Sequence, residues 1–298
     1  MKQLFHNLLK SYLRRFPLAR GKTRIFSALW KPFSFGEYHR EATLLQANVK
    51  LSCDLTKFLQ RQLYYFGSYE KAYCEYWIKF SRQAKIIFDI GANVGLYSLL
   101  AAATNASARI HAFEPTPEIA ASLCENIQLN KLQNILVNRL GVGNKSGQAF
   151  LKRFMGGEDI YDGMNFISTE KSADANLPIT VVTIDDYCRQ NEIARIDLMK
   201  MDIEGGEYDA LRGAKNLLES RAIGCIFLEL VELHAKRFGH STVEIKRLLT
   251  DAGYQICTLH SGKLVSVPVE KIHDGQDDNV IAFALDFSKE LTRRNQKR

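Results

Sequence analysis

Asp89, Gly91, Ala92, Asn93 and Gly95 fall in one short run, Phe88-Asp89-Ile90-Gly91-Ala92-Asn93-Val94-Gly95. An apolar stretch, Ile86-Ile87, leads into it, and Leu96-Tyr97-Ser98-Leu99-Leu100 continues from it with helical periodicity. Strand, glycine-rich turn and helix together make a place where backbone N–H groups and a helix start can approach a ligand that a Cβ would hold off. The acid at the end of the strand selects among ligands. Asp89 would repel a dinucleotide pyrophosphate, whereas a ligand carrying a cation and hydroxyls is well served by carboxylate acceptors. The pattern therefore points to S-adenosylmethionine rather than to a nicotinamide dinucleotide. A second acid agrees: Glu114-Pro115 ends the next apolar run, Arg109 to Phe113, about 25 residues on, close to the spacing at which an acid meets ribose hydroxyls.

Further acids belong to the same edge. Asp202 and Glu204 follow the run Ile196 to Met201, and Glu229 lies near the end of Ile223 to Leu230. In an open α/β sheet ligands bind beyond the carboxyl ends of the strands. Acids gathered there repel one another unless a cation sits among them, and a sulfonium with an ammonium group would supply it. Transfer of a methyl group to a hydroxyl also needs a base within hydrogen-bonding reach. Asp202 is the first candidate, Glu204 the second and His234 the third, although a lone histidine after a strand is more often a packing residue. Glu207 and Asp185 suit helix starts, where the dipole favours them. Asp202 and Glu204 offer carboxylates to a divalent ion, but no His/Asp spacing demands one, and no metal site is expected.

The elements that must hold these residues alternate. Strands are expected at Val49–Leu55, at the runs already named, at Ile135–Val142, Ile179–Ile184, Tyr254–Leu259 and Asn279–Leu285. Helices are expected between them, including one from Glu207 to Leu218, one opened by Thr116-Pro117, and one opened by Ser241-Thr242-Val243-Glu244 and closed by Gly253. Alternation of this kind implies an α/β fold with a mostly parallel sheet and helices on both faces. Tyr73, Tyr76, Trp77 and Phe80 read as core packing against that sheet. Residues 155–178, polar and rich in Gly, Asp and Ser, read as a long functional loop. Asn144 follows the third strand and is left out of the site.

Residues 1–36 hold eight basic side chains and no acid, more than the chain's whole net charge of +7. Leu4, Phe5, Leu8, Leu9, Tyr12, Leu13 and Phe16 form a helical stripe there. Such a helix lies on an anionic membrane surface or packs on the protein's own core. Nothing in it resembles a nucleic-acid-binding module, so nucleic acid is not the expected partner. No segment is apolar enough to span a bilayer, and no secretory signal is evident. Six scattered cysteines without metal spacing imply free thiols and a reducing, cytoplasmic compartment, with the arm able to reach the inner membrane surface. The expected organisation is a basic helical extension over 1–46, a catalytic domain over 47–288 and a basic tail over 289–298. Oligomeric state is not specified by these features.

Three motifs in order, Asp89-Ile-Gly91-Ala-Asn93-Val-Gly95, Phe113-Glu114-Pro115 and Lys200-Met-Asp202-Ile-Glu204-Gly205-Gly206-Glu207, resemble the FkbM family of S-adenosylmethionine-dependent methyltransferases, over about Leu51 to Leu285. The resemblance implies a Rossmann-like class I methyltransferase fold with a seven-stranded sheet. It implies O-methylation of a sugar, glycan or secondary-metabolite hydroxyl. By the same resemblance Asp89, Gly91, Ala92, Asn93, Gly95, Glu114 and Pro115 line the cofactor, and Asp202 and Glu204 lie beside the reacting methyl. Two other functions compete with this one: an RNA or protein methyltransferase that holds an acidic substrate with the arm, and a non-catalytic binding module that keeps the fold.

Overall fold

The computed structural model describes residues 2–15, 39–152, 165–168, 170–173, 175–268 and 278–285. The arm beyond residue 15, the polar run from Met155 to Met164 and the tail over 289–298 lie outside the described residues.

A hairpin of β1 (His39–Thr43) and β2 (Lys50–Asp54) precedes two helices, α2 (Phe58–Phe66) and α3 (Lys71–Ser81), and α1 (Lys2–Arg15) precedes them all. The main sheet then begins with β3 (Ile86–Ile90), α4 (Leu96–Thr104), β4 (Arg109–Phe113), α5 (Pro117–Leu129) and β5 (Ile135–Asn138). A smaller sheet follows from β6 (Gly141–Val142), β7 (Gly147–Lys152), β8 (Phe166–Ser168) and β9 (Ala175–Val182). After α6 (Ile184–Gln190) the chain returns to the main sheet with β10 (Ile196–Met201), α7 (Glu207–Arg212), α8 (Lys215–Glu219) and β11 (Ile223–Leu230). It ends with α9 (Glu232–Arg237), α10 (Thr242–Asp251), β12 (Tyr254–His260), β13 (Lys263–Ser266) and β14 (Asp278–Ala284).

The main sheet has the order β13-β12-β14-β11-β10-β3-β4-β5. β5, β4, β3, β10 and β11 pair in parallel, and β14 runs antiparallel between β11 and β12. The eighth strand, one more than the seven expected, is β13, the return arm of a hairpin with β12. Strands buried on both faces must be apolar on both, and here one face sends Ile87, Leu198 and Phe227 against Trp77 and Tyr97, while the other sends Phe88, Met199 and Met201 against Tyr187 and Leu211. Trp77 meets Phe227 and Tyr97 edge-on, so the aromatic set before β3 is core, as its spacing predicts.

Several expected elements change when folded. Ile135–Val142 splits: β5 joins the main sheet, and Gly141-Val142 pairs in parallel with β9 in the smaller one. The stretch 155–178 is not one loop, because Phe166–Ser168 and Ala175–Val182 pair with β7. The helix from Glu207 breaks at Gly213, where a Cβ would sit 2.1 Å from the carbonyl oxygen of Gly143. Capping follows the sequence closely at α10: Ser241 and Glu244 form the reciprocal box, and Gly253 follows the helix end at φ +82°.

The amphipathic α1 folds back on the body. Leu9 and Leu13 are buried in the main core, while Leu8 stays 61% exposed. Arg14 Nη2 donates to the carbonyl oxygen of Tyr64 at 2.8 Å and Nη1 to that of Thr43 at 3.1 Å, and Lys10 Nζ stands 4.1 Å from the centre of the Tyr64 ring. A boundary at residue 46 falls in the turn of the β1–β2 hairpin, whose strands pair residue by residue from His39↔Asp54 to Thr43↔Lys50. No described helix is long and apolar enough to cross a membrane.

Candidate active site

The carboxyl ends of β3, β4, β10 and β11 open into one cavity, whose wall includes Ile90, Glu114, Asp202 and Glu229. The turn after β3 forms its floor. Gly91 and Ala92 N–H groups donate to the Phe113 carbonyl at 3.0 and 2.9 Å, tying the turn to β4. On the other side Asp202 N–H donates to the Ile90 carbonyl at 3.0 Å, bringing the end of β10 against it. At Gly91, φ is +79°, and a Cβ would lie 1.9 Å from the Asp202 carbonyl oxygen. Only glycine fits there. Asn93 also takes a left-handed conformation, φ +50°, and its side-chain oxygen accepts from Val94 N–H at 2.7 Å. Gly91, Ala92 and Asn93 line the cavity; Gly95 does not, and serves as the N-cap of α4 at φ +97°, packed on Leu123.

Asp89 corrects the sequence expectation. It does not line the cavity and is 1% exposed behind the turn, where Oδ2 accepts from Ser98 N–H at 2.8 Å and Ser98 Oγ–H at 2.6 Å. The physical reason is that α4 starts with unsatisfied N–H groups, and Asp89 reaches one of them across the turn. Burial pushes its carboxyl up to about 6, against the pull of the Ser98 bonds.

Glu114 and Pro115 do line the cavity. Glu114 is buried, and its two oxygens are held separately: Oε2 accepts from Asn93 N–H at 3.1 Å and Oε1 from Thr116 N–H at 2.9 Å. Burial raises its pKa, while those donors act in the opposite direction. Thr116 is the N-cap residue of α5 with Pro117 at the first position, so the helix start and the acid are fixed together.

Asp202 and Glu204 reach the cavity on the loop after β10. Asp202, 34% exposed, pairs with Lys200 Nζ at 3.2 Å. Glu204 takes φ +58°, an uncommon conformation for a side-chain-bearing residue. Its Oε2 lies 2.8 Å from His234 Nδ1, and this bond, with the negative charge, raises the histidine pKa despite partial burial. Gly205 makes the pairing reachable, since at φ +106° a Cβ would fall 2.4 Å from the His234 carbonyl oxygen. His234 backs Glu204 and is not on the cavity wall. Glu207, as expected of a helix start, turns inward: Oε1 accepts from Ile203 N–H at 2.9 Å. Asp185 accepts from Asn216 and Leu217 N–H groups at the start of α8, and Asn144 donates to Asp209 at 2.6 Å.

Two residues on this wall or behind it had no role in the sequence expectation. Glu70, before α3, faces the cavity and accepts from the Tyr97 hydroxyl at 2.7 Å and from Asn279 Nδ2. Lys200 lies buried beneath Asp202. The readable signal for Lys200 was a cation within the buried second half of a parallel strand; Glu70 had none, because nothing local ties it to β10.

Five carboxylates, those of Glu70, Glu114, Asp202, Glu204 and Glu229, therefore border one cavity beside apolar Phe113, Leu140 and Val142. That donor set fits a ligand with a cationic centre, hydroxyls and an aromatic base, and it disfavours phosphates. Among the described residues no group of His, Cys, Asp and Glu is arranged to hold a metal ion.

Comparison with known proteins meets this geometry. The chain is 26% identical over 167 residues to the hexuronic acid methyltransferase AglP of Haloferax volcanii, covering 56% of this chain and 62% of that protein. It is 28% identical over 144 residues to the 2-O-methyltransferase NoeI of Sinorhizobium fredii, covering 45% and 58%. It is 26% identical over 185 residues to the 31-O-demethyl-FK506 methyltransferase FkbM of Streptomyces tacrolimicus, covering 54% and 69%. The chain thus spans about three fifths of the length of relatives such as AglP and NoeI. The model of the methyltransferase FkbM domain matches residues 89–256, a stretch that takes in the turn, four of the five wall acids and the loop after β10. The chain belongs to the FkbM methyltransferase domain family.

Proposed function

We propose that this chain transfers a methyl group from S-adenosylmethionine to a hydroxyl of a sugar, glycan or secondary-metabolite acceptor. The observation that carries the proposal is the acidic cavity at the carboxyl edge of the sheet, floored by a turn that only glycine can make at residue 91. Glu114 and the backbone of Gly91 to Asn93 would hold the cofactor, with Pro115, Leu140 and Val142 as apolar neighbours for its base. The names of the relatives favour oxygen as acceptor: a 2-O-methyltransferase and a 31-O-demethyl-FK506 methyltransferase are among them.

When bound, the cofactor supplies an electrophilic methyl carbon, so the protein has chiefly to align the acceptor and exclude water. Asp202 lines the cavity and is available as the base for the acceptor's proton, with Lys200 behind it. Glu204, steadied by His234, is placed to orient a neighbouring hydroxyl. The test is calorimetric titration with S-adenosylmethionine and S-adenosylhomocysteine, with Glu114→Ala as control, followed by screening of hexosides, uronides and macrolide hydroxyls. Saturable binding lost in the variant supports the reading. No binding to the folded protein removes it and favours the non-catalytic module.

A further inference from the structure

A second hollow, about 990 Å³ and so within the range of small-ligand sites, opens beside the cofactor cavity. The two adjoin, since Val142, Ile167 and Ile203 line both. Ile203 stands between Asp202 and Glu204 in the chain, so the acids proposed to meet the acceptor's hydroxyls border the junction. The chain entering β8 runs along the same border: Asn165 faces the cofactor cavity, Phe166 the second hollow, and Ile167 both.

The two sides differ in charge. Five carboxylates border the cofactor cavity, whereas the charged residues on the second wall, among the described ones, are Lys145, Lys152, Arg237 and Asp209. Two of these cations gather on one ring. The Arg237 guanidinium lies 4.7 Å from the centre of Phe166 and Lys152 Nζ lies 5.8 Å from it, within cation–π reach. Lys152 and Phe166 are cross-strand partners in β7 and β8, and Phe238 meets Phe166 edge-on at 5.8 Å. Asp209, the acid on this wall, accepts from Asn144 at 2.6 Å. α9 joins the two sides: His234 bonds Glu204 at 2.8 Å, and the exposed Arg237 ends the same helix.

We propose that this hollow holds the acceptor and selects a sugar that carries a negative charge, as a carboxylate, sulfate or phosphate. This rests on the methyltransferase reading above and narrows its acceptor class. The C–H face of a sugar ring packs on Phe166 and Phe238, the anion meets Arg237 and Lys152, and the hydroxyl to be methylated reaches past Ile203 to the acids. Ser146, Gln148 and Ser168 on the same wall suit the remaining hydroxyls. Opposite charge on the two sides sorts the ligands, because each wall attracts one and repels the other. A nucleic acid fits less well: two rings in edge contact form one apolar corner, not the successive faces on which bases stack.

The test is an array of neutral, uronic-acid, sulfated and phosphorylated glycans, probed with the full chain in the presence of S-adenosylhomocysteine. Single-stranded RNA of mixed sequence serves as a competing anion. The expected result is preferential binding of acidic glycans, with the class of glycan bound identifying the anion. Arg237→Gln and Lys152→Gln should each weaken that binding about 10- to 100-fold, as for a lost charged hydrogen bond, and Arg237→Lys should recover part of it. Calorimetry with S-adenosylmethionine should give affinities within about threefold of the wild type for the same variants, which shows that they fold and that the effect lies on the acceptor side. Neutral glycans bound as tightly as acidic ones, RNA bound more tightly than either, or no glycan bound at all overturns the proposal. So do folded variants that bind acidic glycans like the wild type. The parent reading fails separately, when the folded protein takes up no cofactor; acidic glycans bound under that condition would keep the hollow as an acidic-sugar site without the methyl transfer.

Discussion

The carbonyl oxygen of Asp202 occupies the space a side chain at Gly91 would need, 1.9 Å from an ideal Cβ. The floor of the cavity and the loop that carries Asp202 are therefore in backbone contact, and neither can shift alone. Gly91→Ala should cost about 1–3 kcal/mol from the left-handed conformation, and more from the clash. Thermal unfolding should show a lowered midpoint, and cofactor binding should be lost in whatever folds. A variant that binds as tightly as the wild type would refute this account of the turn.

Glu114→Gln replaces an oxygen that accepts a backbone N–H with an amide nitrogen that does not. One of the bonds to Asn93 or Thr116 is forfeited, and the negative charge goes with it. Cofactor affinity should fall by about 10- to 100-fold, as for a lost charged hydrogen bond. Titration calorimetry reads this directly, with S-adenosylhomocysteine affected less than the cationic cofactor.

Asp202→Asn keeps shape and removes the proposed base. Turnover should drop by about 10²- to 10⁴-fold, while cofactor affinity changes by only a few-fold. Single-turnover rates on an identified acceptor, set beside binding constants, separate the two effects.

Glu207 predicts a pH effect on stability. Burial lifts its carboxyl from 4.5 to about 7, so the folded state holds its proton more tightly than the unfolded chain does. Stability from this group is present in full below pH 4.5 and is lost as pH rises through about 7. The shift corresponds to about 3 kcal/mol. Glu207→Gln retains an oxygen for Ile203 N–H and should gain on the wild type between those values. Denaturant titrations at pH 4.5, 6 and 8 check it; parallel curves for the two proteins would show that the buried acid costs nothing.

Leu13→Ala tests the docking of α1. Leu13 is 1% exposed in the main core. Its truncation should destabilise the whole protein by about 2–5 kcal/mol in one cooperative transition. A wild-type midpoint would mean that α1 contributes nothing to the core.

The sheet was legible because a parallel strand covered on both sides, such as residues 223–228, must be apolar on both faces, and that pattern survives in one dimension. The glycine turn and Glu114 were legible for a related reason: their chemistry is local to a strand end. At Asp89 the sequence shows an acid at a strand end but not whether it looks outward to a ligand or forward along the chain to Ser98 N–H, as it does in the structure. The Lys200 cluster was the least legible, since Glu70, Asp202 and Glu229 meet only through the sheet order. β8 and the first half of β9 were hidden by polar composition, their pairing with β7 being set by neighbours rather than by periodicity, whereas the half of β9 from Ile179 was readable. Gly213 looked like an ordinary helix residue because the group it makes room for, the Gly143 carbonyl, is distant in sequence.

Asn279 Nδ2 donates to Glu70 at the edge of the cavity wall, and Tyr73 donates its hydroxyl to the carbonyl of Asn279. One member of each pair belongs to the opening third of the chain and the other to its last strand. During synthesis the glycine turn, all five wall acids and the lysine emerge well before residue 279 does. Until that strand threads between β11 and β12, Glu70 lacks its amide partner and β11 is an open edge. The wall is thus finished only once β14 is made, and a ribosome-bound fragment ending short of that strand would carry the three motifs named above without a completed site.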